Sequence, residues 1–285
     1  MTALRDHTPT ISAMETVAVG SLLRDWRTRR HLSQLDLALD AGISARHLSF
    51  VETGRSNASS ELLLKLADQL QMPLRDRNRL LLAAGYAPRF QQRELEAPEL
   101  KPVRDAIGHV LDGHEPYPAL AVDRHWNLIA SNAALGLLLE DVAPELLQPP
   151  VNCMRLALHP HGLAPRIRNL AQWRGHLLAR LHREIALHGD PHVEELLQEV
   201  SAYPGPPVDL AAEAGAIMVA LELESSLGLL RLFGTVATFG TAVDITVAEL
   251  SVEAFFPADA ATAEFLRQAA LREDAERRAD GEAVG

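Results

Sequence analysis

Ser33-Gln-Leu-Asp-Leu-Ala-Leu-Asp-Ala-Gly-Ile-Ser44-Ala-Arg-His-Leu-Ser-Phe-Val-Glu-Thr-Gly54-Arg-Ser-Asn57 decides how the first third of this chain folds. Ser33 and Ser44 each precede a helical run and can accept a hydrogen bond from its first free amides. Gly42 stands between the runs, where a backbone with positive φ is needed to end one helix and turn sharply into the next. Ala38 is small, which lets the two helices cross closely. Ile43, Leu48 and Val51 fall on one face of the second helix and predict its buried side. Ala45, Arg46, Ser49 and Phe50 are left on the opposite side. A short helix of this kind enters the major groove of DNA with its N-terminal side chains against base edges.

Working outward, the flanks repeat the same grammar. Leu22, Leu23 and Trp26 come before; Leu35, Ala38 and Leu39 lie within; Leu62, Leu63, Leu66, Leu70, Leu80 and Leu81 come after, all at three- and four-residue spacing. Ser60 reads as a further cap, Gly54 and Gly85 as helix ends, and Pro73 as a helix start. The pattern predicts five short helices, an all-α helix-turn-helix domain over residues 17–90. Residues 1–16 contain no apolar stretch of the kind a secretory signal needs and read as a disordered lead-in.

The charge pattern agrees. The 285-residue chain has a net charge of −11, which taken whole argues against nucleic acid. Residues 17–90, however, hold 11 Lys/Arg against 7 Asp/Glu, a net of +4. Residues 91–285 hold 15 against 29, a net of −14. A basic module is joined to an acidic body that phosphates would repel, so the body is expected to face away from DNA. Cys153 is the only cysteine, which excludes an intrachain disulfide and a thiolate metal cluster. No apolar run reaches the roughly 18–20 residues of a bilayer span. These features point to the cytoplasm and away from a membrane.

Beyond the helical block, residues 91–105 are polar and acidic and read as a linker. Residues 106–272 read as a second, α+β domain, and 273–285 as a charged tail. Ala119 to Ser131 predicts two strands around a turn at Asp123-Arg124. Ile167 to Ala202 predicts helix. Ile217–Leu223, Leu229–Phe233, Val243–Val247 and Leu250–Phe256 predict strands, and Ala261–Arg272 a last helix. Helices followed by strands suggest an antiparallel sheet with helices against it.

Two motifs carry a resemblance. Arg46-His47-Leu48-Ser49-x-x-Glu52-x-Gly54-Arg55-Ser56 and Asn78-Arg-Leu-Leu-Leu-Ala-Ala-Gly-Tyr-Ala-Pro88 resemble phage-repressor-like regulators of the xenobiotic-response-element family, MmyB-like subgroup. Ala58 departs from the pattern, since many relatives have proline there, and a less rigid loop is expected. The resemblance implies that Gln34 touches the DNA backbone and supports the reading helix, that Ser44 and Ser49 meet phosphate or base edges, and that Arg27 and Glu52 form a structural ion pair between the first helix and the reading helix. Arg46 is the candidate for direct readout, because a guanidinium can bond the O6 and N7 of guanine together. Ala45 or Phe50 can touch a thymine methyl, although Phe50 can equally pack on a neighbouring helix. His47 lies on the same helix, as a DNA contact or a solvated side chain. Arg55 and Asn57 suit phosphate.

Pro118-Ala-Leu-Ala-Val-Asp-Arg-His-Trp126-Asn-Leu-Ile-Ala-Ser-Asn132 resembles the opening strands of a PAS-like sensor, and Asn152-x-x-Arg155-Leu-x-x-His159-Pro-x-Gly162 resembles the MmyB-like ligand-binding domain. The implied effector is small and apolar or amphipathic, with a fatty acid as the family-level suggestion. Trp126 and Arg155 are the candidate ligand residues; Arg155 can pair with a ligand carboxylate or form a structural salt bridge.

The alternatives are a helix-turn-helix fused to a metal-binding cupin-like sensor or enzyme, and a helix-turn-helix used only for protein contacts. His159-Pro-His161 has the spacing of a cupin ligand pair, but no Glu follows and the chain heads into helix. No nucleophile elbow, phosphate loop or His-Glu-x-x-His is present, and no cofactor or metal is implied. The reading is a regulator that binds double-stranded operator DNA as a homodimer, repression being the commoner family outcome.

Overall fold

In the computed structural model, residues 18–208, 218–226 and 228–283 are described; the lead-in 1–16 lies outside them. The chain divides into two compact units, Met1–Phe90 and Gln91–Gly285.

The first unit is five helices: α1 Val19–Arg29, α2 Gln34–Asp40, α3 Ala45–Glu52, α4 Ser60–Gln69 and α5 Leu74–Ala83. Local chemistry sets their ends. Ser33 and Asp36 form a capping box in which each side chain accepts the other residue's amide. Ser44 Oγ accepts from His47 N at 3.1 Å. The cap of α4 is Ser59, which accepts from Leu62 N, and not Ser60, which is already helical. Gly42 has φ +63°, and the Ile43 amide closes back on Ala38 O at 2.9 Å, so only the four residues 41–44 separate α2 from α3. Leu23, Leu37, Leu48, Leu63, Leu66 and Leu70 are fully buried in one core with Trp26. The expected α2 stripe is rotated: Leu37, Ala38 and Ala41 face inward, while Leu35 and Leu39 are 58% and 67% exposed. In a seven-residue helix two leucine stripes fit the helical period equally well, and packing chooses between them.

The second unit contains the sheet: β1 Ala119–Val122, β2 Leu128–Ser131, β3 Leu221–Ser225, β4 Gly228–Thr238 and β5 Ser251–Pro257. The five strands lie in the order β2-β1-β5-β4-β3 and every neighbouring pair is antiparallel. Helices α6 Lys101–Asp112, α7 Cys153–Leu158, α8 Leu170–His188, α9 Pro191–Ser201, α10 Ile245–Ala248 and α11 Ala260–Ala283 complete the described part. Alternation along the strands separates two faces. Leu120, Val122, Leu223, Leu230 and Phe255 share a core with Trp173, Leu177 and Leu181 of α8. Ala119, Ala121 and Val252 turn the other way, under Ile107 and Leu111 of α6. This is an antiparallel α+β domain of PAS-like type.

Several expectations change. Val243–Val247 is not a strand: Asp244 accepts from Thr246 N and starts the single helical turn α10, so a side-chain cap overrides β-branched propensity. The helix expected from 167 to 202 breaks at Gly189, whose φ of +62° separates α8 from α9. Residues 91–105, read as a linker, are held on the second unit. Arg93 pairs with Asp244 at 2.7 Å, Ile245 N donates to Gln91 O, and Arg104 donates to Leu95 O and Ala97 O. The last helix continues through the expected tail to Ala283. Strand β3 begins at Leu221, and Ile217 of the expected strand lies outside the described residues.

Candidate functional site

Helix α3 is held from behind and bare in front. Its last residue, Glu52, is 4% exposed. Arg27 of α1 grips it through two bonds, Nε to Oε1 at 2.7 Å and Nη2 to Oε2 at 3.0 Å, and Gln34 Nε2 of α2 donates to Oε2 at 2.8 Å. Arg24 Nε stands 3.7 Å away. Burial pushes the Glu52 carboxyl up, but these hydrogen bonds and charges outweigh it and hold the group below its usual value. Three helices therefore meet on one ionised carboxylate. Arg27 also donates to Leu32 O, which fixes the α1–α2 connection.

Two contributors were not read from the sequence as such. A Cβ on Gly20 would stand 2.1 Å from the Glu52 carbonyl oxygen, so α1 and α3 touch backbone to backbone there. Asn78 takes the amides of Arg89 and Phe90 on Oδ1 and donates to Phe90 O, pinning the end of the unit onto α5. The signal for Gly20 was a glycine inside a helix start; Asn78 opens a motif quoted only for its resemblance. The Ala58 loop, expected to be looser, has its carbonyl bonded by Tyr86 Oη at 3.0 Å.

On the front of α3, Arg46 is exposed, and no carboxylate pairs with it among the described residues. Its guanidinium carbon lies 5.3 Å from the ring centroid of Phe50, one turn on. Phe50 is half-buried and does not belong to the core cluster. Ala45 packs against that core. His47 and Ser49 are half-buried, and Ser44, Arg55 and Asn57 are exposed. Gln34 is half-buried, with its amide nitrogen committed to Glu52.

In the second unit, the β1–β2 turn is tied by Asp123, which accepts from His125 N, Asn127 N and Asn127 Nδ2. Trp126 has φ +68° there, and its indole is 5% exposed. The Arg180 guanidinium of α8 lies 4.2 Å from the indole centroid. Arg180 also comes within 2.7 Å of Glu253 Oε1 on β5, yet that oxygen has no aligned hydrogen bond. Burial raises the Glu253 carboxyl, and Arg180, through its charge and its nearness as a donor, only partly opposes this. Cys153, beside these groups, is pushed up to about 12 by burial and then by the charges of Glu253 and Asp123, so its thiol stays protonated and inert.

Arg155 stands at the start of α7, whose first amides are capped by Asn152. It pairs with Glu199 through two bonds of 2.8 and 2.7 Å, and Tyr203 Oη donates to the same carboxylate. Arg155 borders a polar cavity of about 230 Å³ together with His125, Asn127, Asn152, His192 and Glu195. Trp126 is not among its lining residues. His159 and His161 lie in the turn after α7, where His161 N donates to His159 Nδ1. No three His, Cys, Asp or Glu side chains gather to hold a metal among the described residues. No described helix is long and apolar enough to cross a membrane.

The helix-turn-helix profile matches residues 23–76. No curated protein matches the chain. Among solved structures, the restriction-modification controller protein C.AhdI from Aeromonas hydrophila is 36% identical, over 22% of this chain and 96% of its own, with a TM-score of 0.21. The clp gene regulator ClgR from Corynebacterium glutamicum is 26% identical, over 35% of this chain and 94% of its own, with a TM-score of 0.22. Residues 103–269, more than half of the chain, match the profile of the MmyB-like transcription regulator ligand binding domain, and behind its helix-turn-helix this chain belongs to that family of regulators.

Proposed function

We propose that the chain is an operator-binding homodimer, a repressor whose DNA affinity is set by a small apolar or amphipathic effector in the second unit. The observation that supports this best is Arg46: exposed, with no carboxylate partner among the described residues, and carried in the first turn of a serine-capped helix whose rear is fixed by Glu52. Arg46 reads a guanine through O6 and N7. Ser44 and Ser49 meet phosphate or base edges, Ala45 or Phe50 faces a thymine methyl, His47 flanks them, and Arg55 and Asn57 follow the helix onto phosphate. Gln34 backs the reading helix through Glu52. One such module buries only roughly 600–1,000 Å², so two are needed, with half-sites about 34 Å apart or a multiple of that.

A fatty acid suits the effector role. Its carboxylate would replace Glu199 on Arg155 at the polar cavity, with Trp126 beneath the neighbouring turn. Such a ligand changes DNA binding only by favouring one arrangement of the dimer over another. The protein is placed in the cytoplasm.

The test is operator selection with full-length protein. Arg46→Ala should lose about 1–3 kcal/mol of base discrimination while its melting temperature stays that of the parent; an unchanged base preference removes Arg46 from the reading role. Native mass spectrometry of the purified protein then gives the subunit count and the mass of any retained effector.

A further inference from the structure

We propose that Arg46 and Phe50 act as one stacked unit that reads a two-base step, a 5-methylpyrimidine followed by guanine, in each operator half-site. This rests on the base-reading assignment of α3 made above and makes it more specific.

The two residues are four apart, so they share one face of the helix. The Arg46 guanidinium carbon sits 5.3 Å from the Phe50 ring centroid. No acidic side chain among the described residues competes for that guanidinium. Phe50 takes no part in the core that Leu48, Val51 and Ala45 help to form. The half-buried ring lies within cation–π distance of the guanidinium on the same helix face. Guanine needs only one edge of a guanidinium, since both N–H donors that meet O6 and N7 lie in its plane. The ring adds an apolar surface next to that hydrogen-bonding group.

Where the preceding base on the same strand is a pyrimidine, the group it displays in the major groove beside a guanine's O6 and N7 is its 5-position. Thymine carries a methyl there and cytosine a hydrogen. An apolar surface flanking a guanine-reading edge therefore favours T-G over C-G, and methylation of cytosine restores what thymine has. Of the two apolar candidates Phe50 is the better placed for this contact, because Ala45 packs partly against the core.

The experiment uses full-length protein to enrich an operator from a random duplex pool, then measures binding to synthetic duplexes by fluorescence anisotropy at one fixed salt concentration. The enriched half-site should contain a T-G step. Replacing its thymine by deoxyuridine, which removes one methyl, should weaken binding about fourfold, the worth of one buried methyl group. Cytosine at that place should bind as weakly as deoxyuridine, and 5-methylcytosine as tightly as thymine. Phe50→Ala should erase the methyl difference and keep the guanine preference; Phe50→Tyr should keep both; Arg46→Ala should lose both. Equal binding of thymine and deoxyuridine duplexes by the parent protein overturns the inference without recourse to any variant. An enriched operator lacking a pyrimidine–guanine step overturns it too, while leaving the base-reading role of α3 intact. A pool that never enriches a sequence overturns that role, and the inference with it.

Discussion

Two carboxylates removed from water beside an arginine, Glu52 in the first unit and Glu253 in the second, are opposites. Glu52 in the reading unit has two bonds from Arg27, one from Gln34 and a second cation, Arg24, nearby, and it is held below its usual pKa. Glu253 in the sensor unit has Arg180 close but misaligned, and it is held above its usual pKa. Removal from water penalises both charges; hydrogen bonding repays that penalty for Glu52 and leaves a Glu253 oxygen without a partner. The reading unit therefore uses its buried charge to fix three helices in one arrangement. In the second unit the Arg180 guanidinium is shared between Trp126 and Glu253, a looser balance inside the part of the chain that matches the ligand-binding domain family.

The sharpest way to break the rigid half of this contrast is Gly20→Ala. The new methyl meets the carbonyl of Glu52 itself, and backbone cannot step aside as a side chain can. Destabilisation should exceed about 3 kcal/mol, above the usual range for overpacking. Hydrogen exchange read by mass spectrometry should show α1 and α3 losing protection while β1 and β5 keep theirs; preserved exchange in α3 would mean the helices can separate there without cost.

Arg27→Ala comes next. It leaves Glu52 buried with Gln34 and Arg24 only, and should cost about 3 kcal/mol, the low end for a broken buried pair. The pH dependence carries the same information. A depressed folded pKa means that Glu52 stabilises the unit fully above the unfolded carboxyl value of about 4.3, and that this stabilisation is lost as pH falls through the lower folded value. The variant should lose that acid-side slope in the reading unit. A melting profile unaltered at neutral and acid pH would deny the carboxylate its fastening role.

Much of the reading unit was legible because its signals are local. Ser33, Ser44 and Gly42 act within a few residues of themselves, so helix ends follow from composition alone. The Arg27–Glu52 pair was reachable only through family resemblance, since 25 positions separate its members. Gly20 was not reachable, because the need for a missing side chain arises from a carbonyl 32 residues away. In the sensor unit non-local contacts dominate. Strand β5 lies between β1 and β4, far apart in the chain, and Glu253 looks in sequence like an ordinary polar residue of an alternating strand. Arg155 was left open between a ligand contact and a salt bridge, and Glu199, its partner, lies 44 residues on. Val243–Val247 misled because β-branched composition is shared by strands and by the helical turn that Asp244 caps.

The smallest effect tests the looser half. Glu253→Gln keeps the shape of the side chain and removes the charge that burial disfavours. A raised folded pKa means that the ionised carboxylate costs stability above that pKa, and that the cost vanishes as pH falls below the unfolded value. The sign is thus opposite to that of Glu52, and acidification should weaken the reading unit while relieving this strain in the sensor unit. At pH 7 the glutamine variant should be at least as stable as the parent in β1, β5 and α8 by hydrogen exchange, and the difference between the two proteins should close on acidification. A loss at pH 7 of about 3 kcal/mol or more, the signature of a broken buried pair, would show that Arg180 repays the burial of Glu253 after all. The two carboxylates would then be alike, and the sensor unit's responsiveness would have to reside elsewhere, with the Arg155–Glu199 pair at the cavity the next place to look.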